Sequence, residues 1–178
     1  MTLQRCLAVP QLGSRLYGLA VCAKNNCLYA SDWDKNSVHR VELSGSNAVT
    51  EWSVASYPTG LTVNNANNLL VVSHGECKLQ EFSTDGTLLQ TIQLQLDTAE
   101  PAWCAICLAN GQFVVSCRVP SNCVCLVDVK GAVIRRYGGQ TGSQLMEMNE
   151  PEGLAMDKHG NILVADRCNN RLLVLDPM

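Results

Sequence analysis

The chain repeats itself, and that constrains its fold more than anything else in it. Four segments align, at residues 17–45, 58–86, 101–131 and 151–178. Their anchors, Gly18, Gly60, Trp103 and Gly153, lie 42, 43 and 50 residues apart. A period of about 40–50 residues is that of a propeller blade.

Each repeat has the same grammar. A short apolar run opens it, as at Leu19–Val21, Leu61–Val63, Cys104–Ile106 and Leu154–Met156. A polar turn follows, rich in Asn and Gly, which tolerate the positive φ of tight hairpins. A second apolar run, a longer polar loop and a third, alternating run come next. A Gly turn such as Ser44-Gly45 or Asp85-Gly86 then leads to a fourth strand. No window of helical length carries a helical period. Short strands at regular spacing with turn signals predict an all-β fold, here a β-propeller of four repeats of four antiparallel strands. The boundaries expected are 17–56, 58–96, 101–138 and 151–178, in a single domain spanning 1–178. Residues 138–150 read as an exposed inserted loop. The last repeat lacks a fourth strand, and Thr2–Val9 resembles one without a repeat before it. Pairing 2–9 with the third strand of the last repeat would hide two open edges at once. So small a ring is expected to have a narrow axis filled by side chains.

The residues reach a family at 151–172. The run PEGLAMDKHGNILVADRCNNRL is similar to an NHL repeat through almost its whole length. Residues 17–45 and 58–86 resemble it more loosely. The repeat at 101–131 departs most, with Trp103-Cys104 where Gly-Leu is usual and a longer middle loop. The resemblance implies a propeller like the NHL domains of tripartite-motif proteins, although RING, B-box and coiled coil are missing from these residues. Such domains usually have six blades, so the four repeats read either as a smaller closed ring or as an open arc.

Four-stranded blades place two sets of loops on one rim: those leading into the first strands and those between the second and third. Loops on a rigid β scaffold are where recognition usually sits. This rim collects Tyr17, Tyr57, Trp103 and Glu152 from the leading loops. From the middle loops it collects Trp33, Lys35, His74, Lys78, Arg118 and Arg167. Trp and Arg are the residue types enriched at binding hot spots. Tyr17, Trp33, Lys35, Tyr57, Lys78, Trp103, Arg118 and Arg167 are therefore the candidate binding residues. Five others read as structural. Asp32 and Asp166 close the second strands with Asx-type turns. Asn36 and Asn170 tie the same loops, and Arg171 pairs with an acid across a blade interface.

Catalysis draws little support at this stage. His39, His74 and His159 occupy non-equivalent places and are not expected to converge. That speaks against the His-held metal that the resemblance to propeller lyases would imply. A lactonase-like calcium site needs carboxylate and amide oxygens near the axis, where Gly18, Gly60, Trp103 and Gly153 offer none. Ten cysteines with no leader-like apolar run read as reduced core thiols. Cys104 and Cys107 have the spacing of half a zinc site and no second half. No metal and no cofactor are expected. The net charge of −3 lacks the basic excess that bulk nucleic-acid binding needs. No apolar stretch approaches a membrane span, and the chain reads as cytoplasmic. These points lead to a non-enzymatic platform that presents its rim to another protein, without a small-molecule substrate. The alternative is single-stranded RNA bound by the same rim. A propeller lyase or lactonase is the remote alternative.

Overall fold

Polar turns fold the chain back on itself in every repeat, and antiparallel strands form between them. The computed structural model describes residues 15–45, 47–96 and 101–177. Blade 1 holds β1 (Leu16–Cys22), β2 (Cys27–Asp32), β3 (Ser37–Glu42) and β4 (Val49–Ser53). Blade 2 holds β5 (Pro58–Val63), β6 (Leu69–Ser73), β7 (Lys78–Phe82) and β8 (Leu88–Gln93). Blade 3 holds β9 (Ala102–Cys107), β10 (Phe113–Cys117), β11 (Cys123–Val127) and β12 (Val133–Gly138). Blade 4 holds β13 (Pro151–Met156), β14 (Ile162–Asp166) and β15 (Arg171–Leu175). Within each sheet the strands lie in chain order. The protein is all-β, a propeller of four blades. The strand expected at 2–9 lies outside the described residues.

The turns work through the residues that marked them. Asn64 Oδ1 accepts the amides of Ala66 and Asn68, each at 3.0 Å. Asp128 Oδ1 accepts those of Lys130 and Ala132, at 2.8 and 2.9 Å, and Asp157 does the same for His159 and Asn161. Satisfying turn amides in this way pins hairpin register.

One feature of the inner strands was not legible. Every first strand begins about three residues before its apolar run and carries one extra residue near its start. Leu16 faces Asp32 and Leu19 faces Ala30, so three steps on β1 span two on β2. The same bulge recurs at Pro58/Leu61, Ala102/Cys104 and Pro151/Leu154. A bulge breaks the period-2 alternation and turns a side chain out of the ladder. Tyr17, Trp103 and Glu152 therefore belong to strands, not to leading loops.

The core lies between blades, because β1 packs on β5, β5 on β9 and β9 on β13. Tyr29, Leu61, Val71 and Phe82 with Trp52 fill the first interface; Leu70, Leu79, Ile92, Val115 and Val127 fill the second. Val114, Val124, Met148, Ile162 and Val164 fill the third. Each such side chain contributes about 1.5–3 kcal/mol on burial. Ser31 Oγ, fully buried, accepts the Gly18 amide at 2.7 Å and donates to the Thr59 carbonyl of blade 2 at 2.9 Å. Ser116 Oγ makes the equivalent bridge, to the Glu152 carbonyl of blade 4, at 2.7 Å. Among the described residues no comparable packing joins blade 4 to blade 1. Accordingly Leu19 and Val21 on β1 are 64% and 61% exposed, and Leu172 and Val174 on β15 are 72% and 64% exposed.

The inserted segment is exposed over 143–146 and is fastened to blade 4 as well. Met148 is fully buried. Arg171 donates to the backbone carbonyls of Ser143, Gln144 and Glu147, and Asn169 Nδ2 donates to that of Gly142 at 2.6 Å. The described cysteines are free thiols. Among the described residues no helix is long and apolar enough to cross a membrane.

Candidate functional site

The first strands of all four blades line a cleft of about 340 Å³ at the axis, bordered by Tyr17, Gly18, Thr59, Gly60, Trp103, Glu152 and Gly153. The expected plugged axis is corrected here: a cleft is present, and three of the four bulged positions carry Gly, of which Gly18 and Gly60 let neighbouring inner strands approach closely.

Four candidate residues converge beside the cleft. Trp33 stacks at 5.1 Å from Tyr17, 4.9 Å from Tyr57 and 6.2 Å from Trp103, by ring centroids. Trp33 thus reaches across blades rather than folding onto its own. His74 joins them, 5.5 Å from Trp33 and edge-on to Trp103 at 5.3 Å. His74 lies on the expected rim. A short 3₁₀ turn over His74–Glu76 is what swings it inward.

Arg118 and Arg167 form the charged side of the site. The Arg118 guanidinium lies 4.3 Å from the Trp103 ring and pairs with Glu150 and, at 3.5 Å, with Glu152. Arg167 pairs with the same two carboxylates. Arg118 holds the Glu150 carboxyl below its ordinary range, with Arg167 adding to the effect. Glu152, Cys168 and Glu150 together raise the Arg167 guanidinium. Elsewhere on the rim Lys78 pairs with Glu76 and Arg15 with Asp34. Lys78 and the Ser56 amide and hydroxyl pull the Glu76 carboxyl down to about 2. The cations expected to face a ligand are therefore largely neutralised from within. Glu150 lies in the inserted segment, so repeat alignment did not expose it. Lys35 is exposed and apart from the cluster, its amide donating to Asp32.

Burial lowers the His74 pKa from 6.5, and the nearby Arg118 charge lowers it further, while a hydrogen bond with the Ala102 backbone opposes both. His74 is therefore neutral at neutral pH. Its Nδ1 is buried with no hydrogen-bond partner, and so is Arg118 Nε. An orphaned buried polar atom costs about 1–3 kcal/mol unless a ligand satisfies it.

The structural residues divide. Asp32 Oδ1 accepts the amides of Asp34 and Lys35, each at 3.1 Å. Asp166 differs: it accepts from the Asn149 amide, the Asn169 side chain and Arg171 Nε. Arg171 is therefore paired inside its own blade, not across an interface as expected. Asn36 Oδ1 accepts the Tyr57 amide at 2.7 Å, tying its loop to the start of the next blade. Asn122 does the same for the Glu150 amide at 2.8 Å. Both have positive φ, as does Asn170, which stands where blade 4 ends its middle loop.

A metal of the kind a lyase or lactonase likeness would imply does not fit this cleft. The carboxylates beside it are Glu150 and Glu152, and two arginines already occupy them. Divalent ions of that class need several free oxygens.

The NHL repeat family matches residues 148–175. The chain is thus a four-bladed β-propeller whose last blade matches an NHL repeat. No curated protein matches the sequence. Among solved structures it resembles virginiamycin B lyase from Staphylococcus aureus, with TM-score 0.74 and 19% identity over 96% of this chain and 54% of that one. It also resembles a streptogramin B lyase, at TM-score 0.64 and 14% identity, covering 96% of this chain and 57% of the other. A third likeness is to a candidate 6-phosphogluconolactonase from Bacteroides uniformis, at TM-score 0.68 and 14% identity, covering 89% and 49%. The chain spans about half the length of these structures. The likenesses overturn the expectation of a non-enzymatic platform, because these three propellers are two lyases and a candidate lactonase. At this identity what is shared is the fold.

Proposed function

We propose that the chain is the catalytic-rim part of a propeller lyase or lactonase, acting on a small molecule seated in the axial cleft. The observation that carries this is the pair of orphaned polar atoms, His74 Nδ1 and Arg118 Nε, in the two side chains that pack on Trp103, a residue of the cleft lining. A lyase takes a proton from carbon beside an activating carbonyl. A lactonase takes one from the water that attacks a cyclic ester. Either step needs a neutral base and a fixed positive charge near the developing oxyanion. His74, kept neutral by burial, supplies the base. Arg118, held in place by Glu150 and Glu152, supplies the charge. Tyr17, Trp33, Tyr57 and Trp103 offer flat apolar faces on which a ring can stack. Glu152 borders the cleft and sets its polarity.

The test is product analysis by mass spectrometry after incubation with a virginiamycin B-type antibiotic and, separately, with gluconolactone-type esters. Elimination gives an opened product of unchanged mass; hydrolysis adds one water. Turnover of either class is expected, falling about 10²–10⁴-fold in His74→Ala. The rate should decline on the acid side as His74 gains its proton, at a pH below 6.5. Folded protein that turns over neither class, or a His74→Ala variant as fast as the parent, would overturn the reading.

A further inference from the structure

Blade 3 holds a group of side chains that the cleft chemistry does not use. Cys117 ends β10, and Cys123, directly opposite it, begins β11. Cys125 lies two residues on, so its side chain shares the face of Cys123. All three are fully buried in the interface between blades 2 and 3. Their sulfurs lie within 4.8 Å of one another, and those of Cys123 and Cys125 are 3.7 Å apart. Among the described residues this is the one cluster of three or more His, Cys, Asp or Glu donors close enough to share an ion.

We propose that Cys117, Cys123 and Cys125 form a trigonal site for a soft monovalent metal ion, copper(I). Three lines of chemistry select the ion. The donors are all sulfur, and thiolate selects soft ions such as copper(I). There are three of them and, among the described residues, no fourth, whereas structural zinc is almost always held by four. A metal–sulfur bond of about 2.3 Å puts three coplanar sulfurs about 4 Å apart, and the observed triangle needs little adjustment to reach that.

The surroundings balance the charge. Arg136 faces Cys125 across β11 and β12. Copper(I) bound with release of two thiol protons leaves two thiolates, one thiol, the ion and Arg136, which sum to zero. No electron is transferred and no other reactant is required. The hairpin fixes two of the sulfurs directly across the ladder, so little ordering is needed on binding.

The test is an anaerobic titration of the reduced full chain with copper(I), against bathocuproine disulfonate as competing chelator. One copper per chain is expected to be withheld, with X-ray absorption showing three sulfur neighbours at about 2.3 Å. Cys117→Ser and Cys125→Ser should each lose at least tenfold in affinity, while Cys168→Ser and Cys107→Ser should match the parent. Circular dichroism establishes that each variant is folded. The absorption measurement on the unaltered protein needs no variant at all. The proposal is overturned if the folded parent withholds no copper. It is equally overturned if zinc alone binds, if fewer than three sulfurs surround the ion, or if Cys107→Ser abolishes binding while Cys125→Ser does not.

Discussion

Gly60 and Gly153 occupy the same place in their repeats and live in different surroundings. A β-carbon on Gly60 would lie 2.8 Å from the Cys104 Cα and 2.9 Å from the Trp103 carbonyl. One on Gly153 would meet nothing nearer than the Ala165 Cβ at 3.6 Å. Gly18 is tighter still, with the Thr59 carbonyl oxygen at 2.2 Å. In the inner blades the glycine is a packing device that lets one inner strand approach the next. In the last blade the same residue has no neighbour to admit. Residues that look alike in the repeat are therefore under different physical constraint, and the difference follows where blades are covered and where they are not.

The largest expected contrast is in the apolar side chains. Leu79→Ala, in the covered interface between blades 2 and 3, should lower unfolding free energy by about 2–5 kcal/mol. Leu172→Ala, on the open face of blade 4, should change it by less than about 0.5 kcal/mol. Urea unfolding of the two variants reads both, and equal losses would mean that the open face is covered in solution. The glycines come next. Gly60→Ala should cost about 1–3 kcal/mol, because backbone must move to admit the methyl group. Gly153→Ala should gain about 0.4–1 kcal/mol, by restricting the unfolded chain at a compatible conformation. Opposite signs from the same substitution would be the sharpest form of the comparison. The smallest effect belongs to the serine bridges. Ser116→Ala should cost about 0.5–1.5 kcal/mol through its lost bond to blade 4, whereas Ala165→Ser, at the matching place beside the open face, should be near neutral. Thermal melts of this pair would break the comparison if the two shifted alike.

The blades were legible because their turns are. Asn64, Asp128 and Asp157 bind amides of their own loops, and such local chemistry survives in a sequence read alone. The aromatic half of the site was legible for a similar reason: the middle loop had to lie on one rim, so Trp33 had to lie near Tyr57. Three things were out of reach. The bulges break the alternation from which facing is read, so nothing indicated that Gly18 rather than Tyr17 would approach the next blade. Arg118 and Glu150 are far apart in the chain, and Glu150 sits in a segment with no counterpart in the other repeats. His74 reaches Trp103 through a 3₁₀ turn that its composition does not announce.

The extra residue at the start of each inner strand has a consequence for how such a protein changes over time. A side chain inside a ladder answers to a partner strand, and replacing it disturbs two sheets. A bulged residue makes no such commitment. Tyr17, Thr59, Trp103 and Glu152 stand beside the cleft at or next to four such positions: two aromatic rings, a hydroxyl and a carboxylate. The frame therefore separates what holds the blades together from what touches a ligand. Selection, or a designer, can rewrite the second like four interchangeable bits in a drill chuck while the first stays as it is.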